Sequence, residues 1–258
     1  VLAQATLQPH RSRYGLNARA DERKDERIAD LCALYQDAPN TPDEWVMSTD
    51  EMTAIQALER IAPDLPMSPG QPVAVEFEYQ RHGTHALIAA IQIATGAVCA
   101  GCGDTRTEAD FTRFIEWVIQ IEWVIQRHPG FLVYHFVLDQ LNTHKSETLV
   151  RTTAKICGLD LDLGVKGESG ILQSMATREA LLSRPDKAVV FHYTPKHASW
   201  MNQIEIGFGI LARKVVKRGH FRSKEELRAK LMAFIDYFNA TVAKPFKWTY
   251  QGKPPLLM

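Results

Sequence analysis

FLVYHFVLDQLNTHK, residues 131–145, decides the fold. Its first eight residues, Phe131 to Leu138, are almost unbroken apolar, the pattern of a strand buried on both faces. Strands of that kind lie inside α/β sheets, and such sheets bind their ligands beyond the strands' carboxyl ends. This strand ends on Asp139. An acid there has two readings. It is a cap or loop acceptor before Asn142 and Thr143, or it is one of several acids gathered for chemistry.

Working outward, strand patterns cover Trp45–Asp50, Pro72–Tyr79, Ala86–Ala94 and Lys187–Tyr193. Helical periodicity covers residues 21–37, 107–127, 143–157, 199–217 and 223–242. Strands come first as a meander and then alternate with helices, which predicts an α/β fold with a mixed sheet flanked by helices. Residues 158–185, Gly-rich and then briefly helical, form an insertion before the last core strand. The expected organisation is a linker and helix from a longer parent (1–40), a main α/β domain (41–218) and a C-terminal helix and tail (219–258). Residues 1–20 show no periodicity and read as the linker.

With 45% apolar and 23% charged residues, the 258-residue chain has a globular composition. No stretch approaches 18 apolar residues and no signal-peptide layout opens the chain, so a cytoplasmic protein without a membrane partner is expected. Four cysteines are too few and too scattered for a disulfide framework. Cys99-x-x-Cys102 lacks a second ligand pair and reads as two packed strand or turn cysteines rather than zinc ligands. Gly164, Gly167 and Gly170 surround Lys166 but lack the Gly-Lys-Ser/Thr of a phosphate loop. The net charge is +0 but unevenly spread. Arg213, Lys214, Lys217, Arg218, Arg222, Lys224, Arg228 and Lys230 cluster in one stretch, either a phosphate-binding face or a solvated helix face. IEWVIQ at 115–120 repeats at once at 121–126. Six residues turn a helix by about 600°, so the copies spread apolar surface around it. A tolerated duplication and an oligomer contact both account for that.

Three acids stand out. Asp50 ends the Trp45 strand on the face of Val46 and Ser48, Asp139 ends the central strand, and Glu205 follows another strand. Trp200, Ile204, Phe208, Leu211 and Val215 recur at steps of three and four, placing Glu205 on the flank of a core stripe, toward the strand ends. Three converging carboxylates repel one another. Mg²⁺ or Mn²⁺ relieves that repulsion with hard oxygen ligands, and two such ions activate a water or 3′-hydroxyl against a phosphodiester.

STDEMTAIQALER (48–60), EYQRHGTHALIAAIQIATG (78–96), VLDQLNTHKSE (137–147), HYTPKHASWMNQIE (192–205) and KPFKWTYQGKP (244–254) occur in an order that resembles DDE transposases of the mariner superfamily, in its bacterial insertion-sequence branch. The resemblance covers nearly the whole chain. It implies a ribonuclease H-like fold, with Asp50, Asp139 and Glu205 as catalytic and metal-binding acids. It also implies two Mg²⁺ (or Mn²⁺) ions, cleavage at transposon ends, 3′-hydroxyl transfer into target DNA at TA, and a homodimer on DNA. Arg81, His82 and Thr84, and Lys196, His197, Ser199, Trp200 and Asn202, match segments that contact DNA or support the site. Arg213 and Lys214 extend that DNA-facing set. Departures are the missing N-terminal helix-turn-helix region, the long gap from Asp139 to Glu205, Gln140 where Asn is usual, and Gly207 where an aromatic is common. They leave open a catalytically weakened DNA-binding or dimerisation module; another ribonuclease H-like nuclease is a further alternative.

Overall fold

The computed structural model describes residues 21–126, 133–217 and 219–250. The expected linker 1–20, the tail 251–258 and the side chains of the second IEWVIQ copy lie outside the described residues. Five strands form one sheet: β1 (Glu44–Arg60), β2 (Tyr79–Gln92), β3 (Val98–Gly103), β4 (Val133–Leu138) and β5 (Val189–Tyr193), in the order β3-β2-β1-β4-β5. β1, β2 and β3 pair antiparallel as a meander, whereas β4 joins β1 and β5 joins β4 in parallel. This is the mixed sheet expected from the sequence.

The two faces follow from the two-residue alternation of strands. Val46, Leu87, Ala89, Ile91 and Val137 face one layer, made by α1 (Lys24–Asp37), α5 (Ile204–Leu211) and α6 (Lys224–Thr241). Met47, Ile88, Ala90, Phe136 and Leu138 face the other, made by α2 (Glu108–Gln126), α3 (Glu147–Ile156) and α4 (Met175–Leu182). β4 is buried on both sides, which is why its sequence is apolar without alternation. In α2, Ile115, Val118 and Ile119 of the first IEWVIQ copy are buried and Trp117 is exposed.

Three expectations change. β1 does not end at Asp50 but runs ten residues further, paired with β2 alone and bulged between Met52 and Ile55, where Ala54 takes φ 55°. Residues 72–78 are not a strand. Pro63, Pro66, Pro69 and Pro72 remove backbone donors from 61–78, which keeps only the isolated bridges Leu65–Ala74 and Ser68–Gln71. The helix expected over 199–217 is a 3₁₀ turn (Ser199–Met201), then α5, then a π turn (Ala212–Val216). The break falls at Asn202, whose extended backbone (φ −80°, ψ 105°) lets its side chain reach β1. Cys99 and Cys102, three apart on β3, pack toward opposite faces and cannot share an ion.

The insertion is tied to the sheet's carboxyl edge by buried charge. Lys145 Nζ lies 2.6 Å from Glu179 of α4 and 2.6 Å from Gln140 Oε1. The other Glu179 oxygen accepts from Arg27 (2.8 Å) and Arg23 (3.1 Å) of the α1 region, and Arg27 pairs with Asp21 at 2.7 Å. Burial pulls the Lys145 ammonium below its ordinary range, and the Glu179 carboxylate works against that. Removing Glu179 strands a buried lysine. Glu179→Ala is therefore expected to cost about 3–5 kcal/mol, read as a lower denaturant midpoint; an unchanged midpoint would show the network to be solvated.

Candidate active site

β1 and β4 run parallel in register, with Ser48 opposite Val137 at the last paired position. Two residues beyond, on the same face, come Asp50 and Asp139, so the two carboxylates leave neighbouring strands side by side, strands lying about 4.8 Å apart. Asp50 is buried and Asp139 partly so. α5 covers this face and carries Glu205 in its first turn. Glu205 is exposed, unlike its neighbour Ile204, so it projects from the rim rather than against the core. Trp200, placed on the core stripe by its spacing, is also exposed and meets Tyr250 edge to face at 4.9 Å.

Asn202 locks this arrangement. It is fully buried, its Nδ2 donates to Thr49 O (2.9 Å) and to Asp50 Oδ2 (3.2 Å), and its Oδ1 accepts from the Ser48 hydroxyl. The same hydroxyl oxygen accepts from the Ile204 amide at 3.1 Å, joining the start of α5 to β1. Asn202 is thus a site-supporting residue in this structure and is closed to direct contact with a ligand.

Two residues that the sequence pattern does not mark, Glu51 and His144, complete the edge. His144 follows in the 3₁₀ turn after Asp139, with Nδ1 2.8 Å from Asp139 Oδ1 and Nε2 3.1 Å from Glu51 Oε2. The Leu141 amide also donates to Asp139 Oδ1 at 2.8 Å. Burial works against charge on His144, but the bonds to Asp139 and Glu51 prevail and raise it to about 9. Burial likewise works to raise the Asp139 carboxyl, and the His144 hydrogen bond and charge outweigh it, holding the group below its usual range. Asp50 lacks such a partner. Burial, then the Asp139 charge, raises its carboxyl to about 7. Partial desolvation and the same Asp139 charge raise Glu205. The site carries negative charge that its own cations do not balance, and it offers hard oxygens. That donor set fits Mg²⁺ or Mn²⁺.

Asp50, Glu51 and His144 also bring one donor atom each within 4.8 Å of one another. Geometry disfavours that set as ligands. Both His144 nitrogens face carboxylate oxygens, so both donate a proton and neither keeps a lone pair for a metal.

The remaining predicted residues divide. His197 and Ser199 line an open groove of about 270 Å³ with Asp139, Gln140 and Thr194. His197 holds a left-handed φ of 61°, and exposed Lys196 adjoins it, its amide bonded to Asp21 at 3.0 Å. Gln140 is built in: its amide donates to Thr194 O at 2.7 Å while its oxygen accepts from Lys145. Arg213 and Lys214 are exposed on the π turn beyond α5. Arg81 and His82 are not brought to the acids. Arg81 pairs with Leu58 near the far end of β2, eight residues from the Ala89 that pairs with Asp50, a separation of roughly 25 Å. His82 contacts Glu59 at 2.7 Å, and Thr84 is exposed on the same strand. A Cβ at Gly207 would meet Ile204 at 3.5 Å, an ordinary contact, so nothing in the packing demands glycine there.

A mixed sheet of this topology, with acids at the carboxyl edge of its central strands, defines a ribonuclease H-like fold of the kind seen in transposase catalytic domains. The chain belongs to the DDE superfamily endonuclease family, which matches residues 46–228, well over half of its length. Among solved structures, it is similar in fold to the Mos1 transposase paired-end complex with left transposon end (TM-score 0.53, 12% identity, 93% of this chain and 60% of that one). It is similar also to the Mos1 mariner paired end complex with Mn (TM-score 0.52, 12% identity, 90% of this chain and 59% of that one). The chain thus spans about three-fifths of the length of these structures. No curated protein matches the sequence.

The raised Asp50 carboxyl has a consequence for stability. The folded state holds this proton more tightly than the unfolded chain does. The group therefore adds stability at and below about pH 4 and loses it as pH rises through the folded value of about 7. In metal-free protein, Asp50→Asn should melt higher than wild type at pH 8, with the gap closing toward pH 4. Equal melting at pH 8 would show that the carboxylate is not desolvated.

Proposed function

We propose that this chain is the catalytic part of a transposase, of the bacterial insertion-sequence branch of the mariner superfamily. It would cut DNA strands at transposon ends and transfer the 3′-hydroxyl into target DNA, with TA as the target. One observation carries the reading: Asp50 and Asp139 stand side by side at the end of the β1–β4 pairing, beneath the helix that presents Glu205. The solved relatives support it, being complexes of a transposase with its paired ends, one of them with Mn.

In this reading Asp50, Asp139 and Glu205 hold two Mg²⁺ or Mn²⁺ ions. When bound, such ions activate the attacking oxygen and stabilise the leaving one. The chain's own residues do the rest. Asn202 fixes Asp50 and the start of α5 relative to each other, so the acids need not reorganise when DNA arrives. His197 and Ser199 border the groove beside Asp139, where a phosphate backbone would run, and exposed Lys196 adjoins them in the chain. Trp200, in the 3₁₀ turn before α5, offers an exposed ring for stacking, and Arg213 and Lys214, in the π turn after it, offer charge. Arg81 and His82, far along β2, would touch DNA outside the reacting bond. Assembly on DNA as a homodimer, and end recognition by a helix-turn-helix region, belong to the same proposal.

The test is nicking and joining of transposon-end duplex with Mg²⁺ or Mn²⁺. Asp50→Asn, Asp139→Asn and Glu205→Gln should each fall to background while still melting cooperatively. Wild-type rate in any one of them would remove that residue from the set, and cleavage confined to four-way junctions would favour a resolvase-like nuclease.

A further inference from the structure

We propose that Glu51 and His144 are positioning residues that decide which oxygen of Asp139 faces the cations: His144 holds Oδ1, and Glu51 holds His144. The role rests on the reading of Asp139 as a metal ligand.

Glu51 follows Asp50 on β1, yet its side chain is 1% exposed and that of His144 is fully buried. The imidazole packs on Phe111 with ring centroids 4.4 Å apart, so it is held in plane as well as by its nitrogens. Asp139 Oδ1 accepts from the Leu141 amide at 2.8 Å and lies 2.8 Å from His144 Nδ1 as an ion pair, while the same nitrogen is hydrogen-bonded to the Asp139 carbonyl at 3.4 Å. An amide donor and an imidazole contact on one oxygen leave Oδ2 as the oxygen open to a cation. Without them the short carboxylate is free to rotate about its terminal bond, which is a broad, nearly two-fold torsion.

Glu51 has no comparable reason to be an acid. Its Oε2 meets His144, and its buried Oε1 has no hydrogen-bond partner. A packing role at that position would be met better by an apolar side chain, because an unpaired buried oxygen is a cost. What the carboxylate alone supplies is an acceptor for Nε2–H. That bond fixes the ring so that Nδ1 sits on the Asp139 carbonyl and against its Oδ1, as carboxylates behind histidines fix the ring in metal sites where the histidine is itself the ligand. Here the chain is one step longer, carboxylate to histidine to ligand carboxylate.

The test is Mn²⁺ binding to the full chain by calorimetry, with thermal melting alongside. The double variant His144→Phe, Glu51→Met keeps the packing on Phe111 and removes the buried acid together with its partner, so no charge is stranded. It should melt cooperatively and bind Mn²⁺ about 10–100-fold more weakly. Glu51→Gln, which still offers an oxygen to Nε2–H, should bind nearly as wild type, whereas Glu51→Ala should lose affinity. Wild-type affinity in the double variant overturns the proposal. Should that variant fail to fold, equal affinities in Glu51→Ala and Glu51→Gln overturn it, and a loss in Glu51→Ala alone upholds it. Wild-type protein that binds no Mn²⁺ defeats the proposed function itself, and this role with it.

Discussion

Like charges placed side by side at the end of the β1–β4 pairing are the constraint on which the rest of the structure turns. The register that sets Ser48 opposite Val137 sends Asp50 and Asp139 out of the same face. Neither can move without breaking the central pair of the sheet. The two acids are then treated differently. Asp139 is matched by an imidazolium and a backbone amide, while Asp50 receives an amide and an asparagine, and burial and the Asp139 charge raise its carboxyl to about 7. A site built in this way is poised to take up positive charge.

The supports around the acids come from far apart in the chain. Asn202 links β1 to α5 across 152 residues, and His144 links β1 to the turn after β4 across 93. The Lys145–Glu179–Arg27 network adds α4 and α1 to the same edge. The insertion therefore packs as a brace behind the loop that carries Asp139, which gives the long interval between Asp139 and Glu205 a physical role. Gln140, unusual at its position by resemblance, is part of that brace through Thr194 and Lys145.

How much was legible in the sequence depended on how local each signal was. The unbroken apolar run marks β4, and the acid after it marks the sheet edge where the candidate site lies. β3 was not anticipated, because VCAGCG carries little of the β-branched and aromatic bulk by which strands are recognised. The Asp50 strand was found but not its length, since its second half depends on β2, a partner no local pattern reveals. Helical spacing places Trp200 on the core stripe of α5, but the break at Asn202 separates it from that helix and leaves it exposed, whereas Glu205 stays on the flank of the stripe and reaches the rim. Glu51 and His144 carry no signal of their own in the sequence, although both lie inside the quoted motifs. A buried acid and its histidine partner leave no periodicity, and their pairing exists only once the sheet has formed.

The most direct measurement is the anomalous signal of Mn²⁺ in crystals of the wild-type chain. The account predicts density bounded by the carboxylates of Asp50, Asp139 and Glu205, with His144 still bonded to Asp139 Oδ1. Density centred instead on Asp50, Glu51 and His144, or none at this edge of the sheet, would contradict it.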